Sequence, residues 1–491
     1  MAGDGEDQLR HGDERKARYL ILPCIIAAAA ALRYVFVDGI ETLPFDPWRH
    51  LQLVKNISDG AGFTLFGGQP YIWYSPHWYY LASMLAPLAS IEWVSCFLSV
   101  LSAIVFTLFL LRTEKSPGHA VTGGFMMAAF GPAIAFSCTY GSESFALFLM
   151  LSALLLAAYR SDLPSVLICG LLFGTALVSR MNFAFNFFLF MPVLKSRKTI
   201  IVFIMGIAVV FLLAWMRNNA IINGNAFVFT WDGLATKSND YNFLSTLVPQ
   251  MHPAISEGNR MLYEKIMPFP NWLHSRGQIQ WGPAFFMLSS VVCLALSGRP
   301  WLIAAGIVPM IYFNFFERTL SASFFRHYVA LFPVFFMGIS IFAEKIGQKN
   351  KGFIHYIRIL AVVSVLVSGV GYLKPSTMFP VERAVPPAEM TTGEYYMVNS
   401  GFFHPESLVF YYPDKRFIGM PLYPEQFDEL AQRYPRYAGS IIWQLSFSVQ
   451  NDLLKYLTES GRYRVDKMMK NRYGVGYLLL TATVPRDNDR L

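Results

Sequence analysis

The sequence predicts a polytopic α-helical membrane protein with a small α/β domain at its C-terminal end. Three observations predict it. The 491 residues are 54% hydrophobic, with a mean hydropathy of +0.38, and the apolar residues come in long blocks rather than alternating with polar surface. Uncharged runs such as Ile25–Ala31, Ile200–Trp215 and Ile359–Val370 each sit in a stretch of about 18–20 residues, the length that crosses a bilayer core. Beyond about residue 375 the pattern changes to short strand-like and helix-like runs. Lipid offers no partner to backbone N–H and C=O groups, so the apolar runs must be helices.

The runs place spanning helices near 18–38, 93–112, 119–138, 144–160, 165–181, 183–196, 199–216, 283–298, 301–317, 328–343 and 353–373, about eleven in all. Residues 1–17 form a charged tail. With no convincing cleavage site after it, the first run reads as an anchor rather than a signal peptide. Orientation follows from the basic residues of the short loops. With the N-terminus in the cytoplasm, the inside loops hold Arg10, Arg15, Lys16 and Arg18, then Arg112, Lys115, Arg160, Lys195, Arg197, Lys198, Arg299, Lys345, Lys349 and Lys351. An odd number of spans puts the C-terminus outside. Residues 18–374 are then the membrane domain and 375–491 an extracytoplasmic α/β domain.

Two helices in the first outer loop, 39–92, read as lying along the interface. Pro47–Ser58 carries Trp48, Leu51, Val54 and Ile57 as one apolar stripe, with Arg49, Gln52, Lys55 and Asn56 elsewhere, and Gly60 is a natural stop. Trp78–Leu88 contains Pro87 and is too short to span. A second outer loop, about 217–282, is rich in Asn, Asp, Trp and Pro. In the C-terminal domain Glu394–Val398, Ser407–Tyr412, Ser440–Trp443 and Val475–Thr481 read as strands, and Pro424–Arg433 and Val449–Ser460 as helices.

The formal charge of +8 is spread over loops rather than gathered on one soluble face, so it speaks for topology and against a nucleic-acid partner. The five cysteines, Cys24, Cys96, Cys138, Cys169 and Cys293, lie in apolar segments without metal-ligand spacing. The sequence has no Walker loop, nucleotide-binding glycine fingerprint or nucleophile elbow. A transferase facing outward therefore needs an activated donor carried by the membrane.

Ionisable groups at membrane depth are costly, which makes each a functional candidate. Asp46, followed by Pro47, reads either as the cap of the first interfacial helix or as a base. Glu143, in Thr139-Tyr140-Gly141-Ser142-Glu143, opens a span at its outer end. That position suits the helix dipole and equally a second acid. Arg217 and Arg326 stand at the outer face against the positive-inside trend. A guanidinium there suits phosphate, with snorkelling to headgroups as the alternative. Arg180 lies in or beside a span and requires a carboxylate or phosphate partner. His50, His77 and His327 share that side, and without ligand spacing they read as interfacial histidines with hydrogen bonds rather than a metal site. Tyr71, Trp73, Tyr74, Trp78, Tyr79 and Tyr80 form an aromatic belt that can also stack on a sugar.

These segments resemble a known superfamily. Phe45-Asp46-Pro47-Trp48-Arg49-His50, the helix stop Asp59-Gly60-Ala61-Gly62-Phe63 and Tyr74-Ser75-Pro76-His77-Trp78-Tyr79-Tyr80-Leu81 are similar to the first outer loop of the GT-C glycosyltransferases. The likeness is to the branch holding protein O-mannosyltransferases and lipid A aminoarabinose transferases. Gly170-Leu171-Leu172-Phe173-Gly174 with Ser179-Arg180-Met181-Asn182 resembles the fifth-helix pattern. Trp215-Met216-Arg217-Asn218 and Phe325-Arg326-His327-Tyr328 resemble later outer-face patterns. The resemblance implies a GT-C-like fold with Asp46 as catalytic base and Glu143 as the second outer acid. It implies inverting transfer of a sugar from a polyprenyl-phosphate donor to an acceptor hydroxyl on a glycolipid, polysaccharide or protein. Arg326, Arg217 and Arg180 would bind the donor phosphate, and Arg49, His50, His77, Tyr74, Tyr140 and His327 would line the substrate site. No cofactor is expected and a divalent metal is left open. A multi-pass protein of the bacterial inner membrane is the expected setting. The alternative is a membrane transporter or lipid flippase, which predicts broken spans in two related halves, and no such halves are found in the sequence.

Overall fold

A computed structural model describes residues 21–35, 46–64, 75–114, 117–131, 134, 142–227, 274–275, 278–279, 281–315, 329–349, 355–356, 358–359, 362–363, 385–399, 408, 412, 414–420, 424–445, 451–472 and 474–483. The first helix, α1, is Ile21–Val35. Then come α2 (Asp46–Ser58), α3 (His77–Leu85), α4 (Ile91–Thr113), α5 (Pro117–Ala129), α6 (Glu143–Tyr159) and α7 (Leu163–Ser179). A 3-10 segment, Met181–Asn186, leads into the short α8 (Phe187–Phe190) and then α9 (Arg197–Asn223). An antiparallel pair, β1 (His274–Ser275) and β2 (Gln278–Ile279), precedes α10 (Trp281–Ser297), α11 (Pro300–Phe315) and α12 (Phe332–Lys349).

Three helical stretches are long and apolar enough to cross a membrane: Ile91–Thr113, Arg197–Ile221 and Val329–Gln348. Shorter apolar helices accompany them at Ile21–Val35, Glu143–Tyr159, Leu163–Ser179, Met181–Phe190, Leu288–Ser297 and Pro300–Ile311. The described residues are thus mostly helical and suited to a membrane, with three helices among them of full spanning length. The span expected at 183–196 is broken, made of the 3-10 segment and α8. Irregular backbone persists at membrane depth only where protein or water satisfies it. Here Asn186 Nδ2 donates to Ala330 O at 2.9 Å. The span expected at 353–373 falls almost wholly outside the described residues. Helix α9 outruns its expected end at 216 and stops at Asn223, where Gly224 takes a left-handed φ of 68°.

Close backbone approach joins α7 to α9. A Cβ at Gly170 would lie 2.2 Å from Phe203 O, and one at Gly206 would lie 2.7 Å from Leu167 O. The Gly170…Gly174 spacing therefore serves helix packing directly. Phe173, Phe190 and Phe203 fill the space beside that crossing. Phe130 packs edge-on against Phe332 and Phe336, joining the end of α5 to α12.

At one end of the bundle a polar clamp ties four helix termini. Arg299 donates from both terminal nitrogens to Glu114, at 2.6 and 2.7 Å. His119 Nδ1 stands 3.2 Å from the same carboxylate. Lys345 Nζ donates to Ser297 O at 2.6 Å, capping α10. Burial works against charge on Glu114, but hydrogen bonds with His119 and Arg299 overcome it and hold its carboxyl at about 2.

The C-terminal sheet has the order β4-β3-β5-β7-β6. Its strands are β3 (Tyr395–Val398), β4 (Arg416–Gly419), β5 (Ser440–Gln444), β6 (Tyr463–Lys470) and β7 (Gly476–Ala482). β3, β4 and β5 run parallel, while β7 pairs antiparallel with both β5 and β6. Helices α13 (Pro424–Arg433) and α14 (Asn451–Glu459) cover one face, around Ile441, Trp443 and Leu480. Tyr396, Phe417 and Tyr477 pack on the other. The side chain of Asn399 extends the β3–β5 ladder by accepting from Gln444 N at 2.5 Å and donating to Gln444 O at 3.0 Å. The α/β expectation holds, with two corrections. The second strand is 416–419 rather than 407–412, where Leu408 is helical and buried. β6 was not expected at all: as an edge strand exposed along most of its length it carries Arg464, Asp466, Lys467 and Lys470, so it has no apolar pattern.

Candidate functional site

The opposite end of the bundle gathers most of the described candidate residues. Asp46 and Pro47 open α2, the first-turn positions where a missing N–H and an acid are both favoured. Gly60 and Gly62, at φ 79° and 76°, end it in a tight turn. Asn56 Nδ2 donates to Thr64 O at 2.7 Å and locks that turn. The turn delivers Phe63 against Tyr79, at 5.2 Å between ring centroids. On the other side of Tyr79, the ring of His50 stacks at 5.1 Å and 11°. On α2 His50, Leu53 and Val54 are buried, and Leu51 and Ile57 of the expected apolar stripe pack half-buried against the same cluster. Trp78 packs against Phe145 at 5.9 Å and joins α3 to α6.

Arg217 completes this layer. The length of α9 carries it past the expected helix end, so its Cζ stands 5.1 Å over the Phe63 ring. Its Nη1 donates to Asn218 Oδ1 at 3.2 Å. His77 opens α3, and its Nδ1 is hydrogen-bonded to Ser75 Oγ. His77 is solvent-accessible, yet crowding by its neighbours desolvates it. That desolvation, and then the Arg217 charge, push its imidazole below the usual histidine value. The ring is therefore neutral at neutral pH, fit to accept a proton or a hydrogen bond.

Glu143 and Arg180 form the second cluster. α6 and α7 pack antiparallel, which sets the first residue of α6 beside the residue that ends α7. Arg180 Nη2 lies 2.8 Å from Glu143 Oε1, and both side chains are largely buried. Arg180 thus has the carboxylate partner that its depth demanded. From Arg180 the backbone turns extended, at φ −153°, and enters the 3-10 segment. Ser144, next along α6, accepts from Ser95 Oγ at 3.2 Å and joins α4 to this corner.

No protein-family model matches the chain, and no curated protein matches it either. The reading of this site rests on its own geometry.

The structure brings together His50, His77 and Arg217 through the Phe63–Tyr79 layer, and separately Glu143 with Arg180. Asp46 and Arg49 lie on α2 with only their backbone described. Arg326, His327, Tyr74 and Tyr140 lie outside the described residues. Among the described residues no group of three His, Cys, Asp or Glu side chains is arranged to hold a metal. Sequence reasoning quoted Phe63, Ser75 and Asn218 only as parts of wider patterns and gave them no role, since each resembles an ordinary loop or interfacial residue until the chain is folded. It also missed Arg33, for which a signal existed: a charge inside the apolar run of α1. Arg33 is fully buried, with Nε and Nη2 donating to Ser99 Oγ at 2.9 and 2.8 Å and Nη1 to Ala128 O at 2.9 Å.

Proposed function

We propose that the protein is an inverting glycosyltransferase that moves a sugar from a polyprenyl-phosphate donor to an acceptor hydroxyl. The observation that carries this reading is the gathering of Arg217, His77 and an aromatic layer beside α2, the helix that Asp46 opens, at one end of an apolar helical bundle. That end faces the extracytoplasmic side, with the N-terminus in the cytoplasm and the C-terminal sheet domain outside, in a bacterial inner membrane. The prenyl chain stays in lipid while its phosphate reaches the guanidinium of Arg217. Asp46 takes the proton of the acceptor hydroxyl as that oxygen attacks the anomeric carbon. Phosphate departs from the opposite face, so the configuration inverts. It is a good leaving group at neutral pH, so no protonating acid is needed, unlike glycoside hydrolysis. Arg217 stabilises the charge that grows on the leaving phosphate, with Arg326, which precedes α12 in the sequence, in the same role. Buried against Glu143, Arg180 is held for positioning rather than offered to the phosphate.

A membrane transporter or flippase is the second reading, favoured by the interrupted helix at Met181–Asn186. Labelled polyprenyl-phosphate sugars offered to the purified full-length protein with candidate acceptors separate the two. A transferase consumes the donor, whereas a transporter moves it across a vesicle membrane unchanged. With a working donor, Asp46→Asn is expected to slow transfer by roughly 10²–10⁴-fold. Near-normal turnover by that variant would leave Asp46 as a first-turn acid and remove the proposed base.

A further inference from the structure

Beside the Glu143–Arg180 pair, three buried polar atoms have no hydrogen-bond partner among the described residues: Ser142 Oγ, Ser179 Oγ and Trp78 Nε1. Their residues are 2%, 4% and 0% exposed. Buried polar atoms are almost always paired, so these three call for a partner that the described residues do not supply. Several other hydroxyls of the bundle find one by bonding back along their helix, as Thr175 of α7 does to Leu171 O at 2.9 Å. Ser102 donates to Leu98 O at 2.8 Å and Thr107 to Ala103 O at 2.7 Å. Ser179 sits in the last turn of α7 without such a bond, and Ser142 precedes α6 without a capping bond. Ser142 adjoins Glu143 and Ser179 adjoins Arg180, so the 2.8 Å ion pair sets these two helix ends side by side. Trp78 packs at a tilt against Phe145, less than one helical turn beyond Ser142.

We propose that this corner is a subsite for the sugar ring of the donor, an inference that rests on the glycosyl-transfer reading. A sugar hydroxyl donates and accepts at once, as the serine hydroxyls do, while the indole N–H needs only an acceptor. The carboxylate and guanidinium cancel each other's charge, so the corner suits a neutral polyhydroxylated ring rather than an anion. The phosphate belongs at Arg217, in the neighbouring aromatic layer. Ring and phosphate are thereby held by different groups, and each can be removed without the other.

The test uses the full-length protein in nanodiscs, with undecaprenyl phosphate and undecaprenyl phosphate carrying one hexose or one pentose as probes. The wild type is expected to bind at least one sugar-bearing lipid about tenfold more tightly than the bare lipid, the yield of two or so added hydrogen bonds. The Ser142→Ala/Ser179→Ala variant is expected to bind bare undecaprenyl phosphate as the wild type does and to lose that preference. Its thermal midpoint should not fall, because the hydroxyls removed have no partner among the described residues. Trp78→Phe, which keeps an aromatic ring, should weaken the preference in the same direction. If the serine variant keeps the full preference, the hydroxyls enclose only a water and the subsite is refuted, while donor turnover leaves the glycosyl-transfer reading standing. If the wild type shows no preference for any sugar-bearing lipid, the subsite is refuted too. Absence of donor turnover then sinks the broader reading on its own.

Discussion

Glu114→Gln isolates the clamp that closes one end of the bundle. The Glu114 carboxyl sits at about 2 in place of its usual 4.5, a difference that corresponds to roughly 3 kcal/mol. The folded value lies below the unfolded one, so between the two the unfolded chain binds more protons. The stabilisation is therefore complete above the unfolded value and is lost as pH falls through 4.5 toward 2. Glutamine keeps the shape but gives up the charge that Arg299 and His119 face, at any pH. The variant should be about 3 kcal/mol less stable at neutral pH, a fall of roughly 3 °C in thermal midpoint for a chain of this length. The gap to wild type should close as the buffer is taken below the unfolded carboxylate value. Thermal unfolding in nanodiscs across a pH series, followed by tryptophan fluorescence, measures both quantities. A gap as large in acid as at neutral pH would show that Glu114 acts by packing or neutral hydrogen bonding, and the charge argument would fail. No gap at neutral pH would mean that the pair is screened by water despite its burial.

Two further outcomes follow from the packing. Gly170→Ala should destabilise the α7–α9 crossing by about 1–3 kcal/mol or more, because its Cβ would meet the Phe203 carbonyl and no side chain can swing aside. A thermal midpoint equal to wild type would show that the two helices slide apart freely. Asn399→Ala should remove two side-chain bonds to the Gln444 backbone at a cost of about 1–3 kcal/mol, read as faster hydrogen exchange at the end of β5 with β6 and β7 unaffected.

Elements with strong periodicity or punctuation were legible in the sequence. α13 matches its expected bounds, 424–433, and the turn that ends α2 lies at Gly60 as expected. What was not legible depends on partners far along the chain. The demand of Arg180 for an acid could be read from its depth, but that the acid is Glu143 follows only from the antiparallel packing of α6 on α7. The same holds for Phe63, which acquires meaning only when α9 runs on far enough to set Arg217 over its ring. At 183–196 apolarity was mistaken for a continuous helix, because a side-chain bond such as Asn186 to Ala330 O leaves no trace in hydropathy.

The two ends of the bundle each hold an arginine paired with a buried acid, and the difference between them bears on function. A buried ion pair is weak support for stability, since desolvating both charges offsets much of their attraction. It stabilises when its remaining donors and acceptors are also used. At Glu114 they are used: two bonds from Arg299, one with His119, and a neighbouring lysine that caps α10, with one ring nitrogen of His119 left over. At Glu143 the neighbouring hydroxyls of Ser142 and Ser179 are withdrawn from water and given nothing in return among the described residues. Folding alone gives no reason to keep two such hydroxyls there, because alanine would fill the same space without stranding a polar atom. A ligand does give a reason, since the cost of the unfilled corner is recovered when hydroxyl-bearing groups enter it. This asymmetry predicts opposite behaviour under substitution. Changes at the Glu114 clamp should cost stability and spare specificity, whereas changes at Ser142 and Ser179 should spare stability and cost specificity. Loss of stability at both ends would reduce the second cluster to a structural feature.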